Sequence, residues 1–526
     1  MKKSENPTLS WATKTQRVLD FVQAQHADSG SPGWALAVVH GNETLIAQGF
    51  GVNEVGNLNN PVTPDSMFHI GSVSKTMIAV GLAKLVDQGR LTWQDRVKRH
   101  LPWFQLLDKY AETYTTLADL LSMNSVLGYY QGDLQTGLDA FESEREIVER
   151  LQHYHLHRSF RAGYNYSNIN FVILGQVLAH VTNQTWGEYL TEAIWRPLGM
   201  THTFATADET PLATRSFGHY ICNGKLVGPF DIALTNYSTM PRFGDAAGSV
   251  VSSIQDMATF AKFLLQKGQP LFASPQPIAD MITGHIIQTW WIDAMGTSWG
   301  YHFDRTGGHA LGAGYGIDVI GEALYPGIDY FDKNGDTGVH QTRTGFVPSR
   351  ELGVVLFNNG QLVDKGSRIQ RLGHVRTYIL GLLLDLPDAQ LQAAWDESVQ
   401  VADANPDGAC DPHVYDGEAW VATYVPSAAE AAWLAGSYAT AISAGFFGSA
   451  RIHDVAGSLH LAYGGVDGAL VGQTNATYVW DVFYMGQILT IQVVNTTRGT
   501  PSFAVYPSYA GASLVDFDAD FTFFKQ

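Results

Sequence analysis

A serine placed three residues ahead of a lysine is the pairing in this chain with the most direct chemical use. Ser72-Val73-Ser74-Lys75 is the only Ser-x-x-Lys among its 526 residues. A serine hydroxyl attacks poorly until a neighbouring base takes its proton. A lysine amine becomes such a base when burial or nearby positive charge depresses its pKa. On a helix, positions three apart share a face, so the two side chains can meet. The plain alternative is a capping hydroxyl at Ser72 followed by a solvated lysine. Two further stretches carry groups suited to the same reaction. Tyr166-Ser167-Asn168 sets a phenol and an amide on either side of one residue at a helix start. Tyr166 can pass a proton to a leaving group and Asn168 can hold a substrate amide; the alternative is that Ser167 caps and Tyr166 packs. His340-Gln341-Thr342 opens a strand whose backbone N–H groups could complete an oxyanion hole, with His340 adding positive charge beside the tyrosine.

The elements that must position these groups can be read from hydrophobic spacing. Met77, Ile78, Leu82, Leu85 and Val86 recur at helical intervals after Ser72, and Gly89 stops the run. Upstream, two apolar runs flank His40-Gly41-Asn42, a hairpin signal. "LADLLSM" and "YSNINFVILGQVLAHVT" read as helices, the second starting near Ser167. "GDAAGSVVSSIQDMATFAKFLLQKGQP" reads as a small-residue strand, an Asp-led turn and an amphipathic helix closed by Gly268. "GVHQTRTGFVPSRELGVVLFNNG" reads as two strands joined by a turn. Strands at both ends of a helical middle predict one sheet with helices packed against it, an α/β (α+β) domain over residues 1–395. Asp, Pro and Gly crowd the stretch before residue 425, which reads as a linker over 396–425. Beyond it, alternation at Leu459, Leu461 and Tyr463, at Tyr478, Trp480, Val482 and Tyr484, and at Leu489, Ile491 and Val493 predicts a small all-β domain over 426–526, an antiparallel sheet of the barrel or sandwich kind.

Bulk composition narrows the function. A hydrophobic content of 45% with 16% charged residues is globular, and a formal charge of −18 argues against nucleic-acid or anionic-membrane partners. No apolar run approaches the length of a membrane span. The start "MKKSENPTLSWATK" has lysines but no apolar h-region, so localisation stays open with a lean to the cytoplasm. Cys222 and Cys410 read as two unrelated thiols in preference to a bridge. Five Asn-x-Ser/Thr tripeptides begin at Asn42, Asn183, Asn236, Asn475 and Asn495, a number that chance supplies. "DKNGDTG" (332–338) spaces Asp332, Asn334 and Asp336 by two like the start of a calcium loop. It lacks the sixth-position Gly and the acidic twelfth residue, so a solvated turn is expected and no metal.

The order Ser-x-x-Lys, Tyr-x-Asn and a Lys/His-led triplet resembles the serine β-lactamase and penicillin-binding-protein superfamily. The flanking text is similar to its class C-like branch of D-aminopeptidases, alkaline D-peptidases, D-Ala-D-Ala carboxypeptidases and β-lactamase-like esterases, over roughly residues 15 to 395. The resemblance implies an antiparallel sheet flanked by helices plus an all-helical subdomain, with Ser72 as the acylated nucleophile, Lys75 as its base and Tyr166 as the proton donor to the leaving group. Asn168 would orient substrate, His340 would support Tyr166, and an oxyanion hole would join the N–H of Ser72 to one near Arg343. Thr342 stands where the third motif usually has Gly, which would narrow the approach of substrate, and "LLSMNSVLG" replaces "LLTHTSGL". The C-terminal segment resembles a lipocalin-like barrel, either a cap on the substrate entrance or a stabilising appendage. The expectation is a metal-independent, cofactor-free serine hydrolase acting on a small-molecule or peptide amide, D-residues included. An esterase or an acyltransferase and peptide cyclase of the same fold are the alternatives, and a non-catalytic binding relative is the competing class. A homo-oligomer stays open.

Overall fold

Strands Gly33–His40 (β1) and Glu43–Gly51 (β2) form the expected hairpin, with Gly41 turning the chain at φ +57°. They form one edge of the main sheet. In the computed structural model, which describes residues 9–156, 158–233, 243–288, 311–362, 371–404, 410–484, 487–495, 499–507 and 521–526, that sheet has eight strands. The others are Ile286–Ile287 (β3), Gly312–Ala313 (β4), Asp318–Tyr325 (β5), Ile328–Asp336 (β6), Gln341–Val347 (β7) and Leu352–Asn358 (β8). Their order is β2-β1-β8-β7-β6-β5-β4-β3, with every pair antiparallel. The sequon at Asn236 lies outside the described residues.

Strand periodicity sorts β1 between two layers. Trp34, Leu36 and Val38 pack with Val18 and Val22 of helix Trp11–Ser29 (α1) and with Leu372, Val375 and Ile379 of helix Arg371–Leu383 (α5). Ala35, Ala37 and Val39 face the other way, into the core that holds helix Ser74–Asp87 (α2), helix Ile169–Thr182 (α3) and helix Ile254–Leu265 (α4). Alternate residues of one strand therefore anchor both helical layers. Helix α2 is buried on nearly its whole circumference, which is why a lysine in its first turn reaches no solvent.

The bridge Cys222–Cys410 corrects the expectation of unrelated thiols: the sulfurs are bonded across a sequence separation of 188 residues, a pairing that spacing could not foretell. Helix Asp388–Ala404 (α6) continues past residue 395, into the stretch read as a linker, part of which (405–409) is outside the described residues. Beyond it, eight strands from Gly436–Thr440 to Thr522–Lys525 close into a barrel. The alternating residues read from the sequence, Leu459, Leu461, Tyr463, Tyr478, Trp480, Leu489 and Ile491 among them, are its buried set. The barrel shares one apolar core with the helical layer: Phe446 packs at a tilt against Tyr154, with ring centroids 4.4 Å apart, and against Phe141 at 5.5 Å. Backbone bonds from Gly465 to Leu138 and from His155 to the Ser443 hydroxyl tie the two together.

Candidate active site

Ser72 does not cap α2. It lies in a tight turn, Gly71–Val73, that delivers its side chain to the mouth of the helix. Its Oγ is 2.6 Å from the hydroxyl of Tyr166 and accepts a hydrogen bond from Lys75 Nζ at 2.9 Å. Lys75 also donates to the Ala247 carbonyl at 2.7 Å, which leaves its ammonium between one hydroxyl and one carbonyl. Burial, then the charge of Lys333, pushes the Lys75 pKa down to about 7, against the opposing pull of Asp245, Asp133 and Asp318. Tyr166 goes the opposite way, held well above the usual phenol range by burial. The site thus pairs an amine that can be neutral near pH 7 with a phenol that keeps its proton.

The loop that holds Lys75 is itself pinned by two acids, Asp245 buried and Glu144 half-buried. Asp245 accepts from the Ala247 N–H at 2.7 Å, and Glu144 accepts from the Ala246 N–H at 2.7 Å and from Trp186 Nε1 at 2.9 Å. Burial raises both carboxyls, Glu144 to about 8. Neither acid was anticipated, because their relevance depends on where a distant loop folds.

The structure divides the remaining predicted residues. Asn168 lies at the start of α3 beside the cluster and donates to Asp133 Oδ2 at 2.5 Å. His340 is not brought to Tyr166. It is fully buried, its Nδ1 accepting the His69 N–H at 2.9 Å and its Nε2 lying 3.3 Å from the Phe217 carbonyl. Burial, then the neighbouring His69, holds its pKa well below the ordinary imidazole value, so it is a neutral packing group. Thr342 is buried in β7 opposite Gly335, and its hydroxyl has no hydrogen-bond partner among the described residues. Arg343 is buried too, gripping both carboxylate oxygens of Asp336 at 3.1 and 3.0 Å and the Gly335 carbonyl at 3.2 Å.

The strand beside Ser72 is β6, not the expected β7. The stretch expected to be a solvated turn, "DKNGD", is its last five residues, with Asp332, Lys333 and Gly335 buried and Asp336 exposed. Alternation sends Asp332 and Asn334 to Arg376 of α5, at 3.0 and 2.7 Å, and Asp336 to Arg343. The other face carries Lys333, whose Nζ sits 5.4 Å from the centre of the Tyr166 ring and bonds Asp318 at 3.0 Å. It also carries Gly335, where a β-carbon would collide with the Ile70 carbonyl and come within 3.1 Å of the Ser72 nitrogen. A β-carbon on Gly71, itself at φ +53°, would lie 2.7 Å from the Asp336 nitrogen. Two bare glycines let the backbone of Ser72 and Asp336 come together. The signal was present in Lys333-Asn334-Gly335, a Lys-led triplet that ends in Gly.

A serine in the turn that leads into a buried helix, a lysine three residues on, a tyrosine just ahead of a second helix and an interior strand of the antiparallel sheet make up the site. The chain belongs to the Beta-lactamase family, whose model matches residues 18–375. Among curated proteins it is 28% identical to Unguisins hydrolase ungD' of Aspergillus campestris over 243 residues, 45% of this chain and 44% of that one. It is 27% identical to Protein flp of Staphylococcus aureus over 194 residues, 36% of this chain and 38% of that one. The chain thus spans less than half the length of these relatives. Among solved structures, the octameric penicillin-binding protein homologue from Pyrococcus abyssi superposes with a TM-score of 0.56 at 17% identity, covering 97% of this chain and 100% of that one. D-amino acid amidase from Ochrobactrum anthropi does so with 0.57 at 20% identity, covering 70% and 98%. The first of these extends the shared fold through the barrel.

Proposed function

We propose that the protein is a metal-independent serine hydrolase that cleaves amide or peptide bonds through an acyl-Ser72 intermediate. The observation that carries this reading is the hydrogen-bonded chain from Lys75 through Ser72 to Tyr166, at 2.9 and 2.6 Å, with Lys75 and Tyr166 both buried. Neutral Lys75 takes the Ser72 proton as Oγ bonds to the substrate carbonyl carbon. The N–H groups of Ser72 and Asp336 face the developing oxyanion. Tyr166 gives its proton to the departing nitrogen as the C–N bond breaks, and Lys333 steadies the phenolate that this leaves. Lys75 returns the proton to Tyr166, and water then attacks the acyl group by the same steps in reverse.

The kinship with a hydrolase and the fold shared with an amidase favour amides over simple esters. Gly335 removes the obstruction that Thr342 suggested, which weakens the non-catalytic reading. The Cys222–Cys410 bridge favours an oxidising compartment over the cytoplasm expected from the sequence. Among the described residues no helix is long and apolar enough to cross a membrane. The Pyrococcus abyssi protein is octameric; light scattering would check self-association here. The primary test is intact-protein mass spectrometry with a fluorophosphonate probe. One adduct on the wild type and none on Ser72→Ala is expected. Full hydrolytic activity in Ser72→Ala would defeat the mechanism.

A further inference from the structure

The loop over residues 245–250 brackets the nucleophile turn. The Ala247 carbonyl accepts from Lys75 Nζ at 2.7 Å, the Val250 carbonyl accepts the Ile70 N–H at 2.9 Å, and the Val250 N–H donates to the Ser74 hydroxyl at 3.2 Å. Asp245 shapes this loop from within, through the N–H two residues on. Glu144 reaches it from a different element, 102 residues away, as the first residue of helix Glu144–Arg150. One of its oxygens accepts the Ala246 N–H and the other the Trp186 indole N–H. Helix α3 leaves room for this junction at Gly175, where a β-carbon would come within 2.8 Å of the Ala246 β-carbon and 3.1 Å of the Trp186 ring. The far end of the Glu144 helix is held as well: Arg150 donates to the Phe446 carbonyl at 3.3 Å and lies over the Phe141 ring.

We propose that Glu144 is a positioning residue for the base: by holding the Ala246 N–H it fixes the loop whose Ala247 carbonyl aims Lys75 at Ser72. An amine on a flexible four-carbon stem keeps one direction only while a second, fixed acceptor holds it. That acceptor sits one residue beyond the N–H that Glu144 grips, in a loop that also carries the backbone bonds of Ile70 and the contact to Ser74. A displacement of about 1 Å at such a point costs about 100-fold in rate. Glu144 does not act on Ser72 itself. Its hydrogen bonds go to the loop and the indole, and both of its oxygens face N–H groups. Burial lifts its carboxyl to about 8, within the range in which Lys75 is read, so a pH profile separates a positioning role from that of a base. The inference rests on the acyl-Ser72 reading.

The rate at which a fluorophosphonate labels Ser72 would be followed by intact-protein mass spectrometry across the pH range in full-length wild type, Glu144→Ala and Glu144→Gln, with circular dichroism to check each fold. Glu144→Ala is expected to label about 10- to 100-fold more slowly on the alkaline plateau. Glu144→Leu fills the space without an acceptor and serves if the alanine variant does not fold. Glu144→Gln keeps an oxygen for the Ala246 N–H, so it should recover most of the rate, with the acid limb where the wild type has it. A wild-type rate in the folded variant that lacks the acceptor would overturn the proposal. So would a Glu144→Gln protein just as slow, or one whose acid limb has vanished, which would make Glu144 the base. No labelling of the wild type would instead bring down the acyl-Ser72 reading, and this inference with it.

Discussion

In the proposed mechanism Lys75 acts as a base only while neutral, and its surroundings set where that occurs. With its pKa lowered to about 7, kcat/KM for an uncharged activated ester should rise about tenfold for each pH unit below that value and level off above it. His340 adds no limb to this profile, since it is already neutral there. A stopped assay across pH 5 to 10 checks the profile, and an optimum below pH 6 would contradict it. The sign of one perturbation follows from the causes of the shift. Lys333 is the second contributor to the depression, so Lys333→Met removes a positive neighbour and leaves Asp318 unpaired. Both changes favour the charged amine, and the acid limb should move to higher pH. A limb that stays put would mean that Lys75 is not the group being titrated.

At the level of the elements, the cleft depends on how closely β6 runs past the Ser72 turn. Gly335→Ala is expected to lower kcat by at least about 100-fold, because the new methyl group meets the Ile70 carbonyl and must push β6, and the Asp336 N–H with it, away from the Ser72 N–H with which it would hold an oxyanion. Steady-state kinetics with circular dichroism would separate this from unfolding; wild-type kcat would refute the close approach. The same strand shows what could be read in advance. Ser72 and Lys75 lie one helical turn apart, and Tyr166 and Asn168 mark a helix start, so local periodicity sufficed to find them. The strands of the C-terminal domain were equally legible, since alternation is a local property, though it left a barrel and a sandwich both open. Lys333, Gly335 and Asp133 reach the site only through strand pairing and loop packing, which no local pattern encodes. In "DKNGD" the spacing of two that suggested metal ligands is the period of a strand, with its acids turned to Arg376 and Arg343. His340 drew attention by its residue type, and burial gives it a different place.

For the molecule as a whole, the Cys222–Cys410 bond closes a loop of 188 residues, a size at which loss of a disulfide costs about 2–5 kcal/mol. The double variant Cys222→Ser, Cys410→Ser should therefore unfold at a lower temperature in a calorimetric scan. Reduction of the wild type should lower it equally, and a bond already absent would show no change. The barrel is joined more intimately still, through the core in which Phe446 meets Tyr154 and Phe141. That shared core has a meaning for the gene. An allele with a premature stop ahead of Gly436 would still encode Ser72, Lys75 and Tyr166. Its product would face water with the aromatic wall that the barrel normally covers, and the cell's quality control would treat it as an orphan chain. Such an allele would be null while its catalytic codons stayed intact.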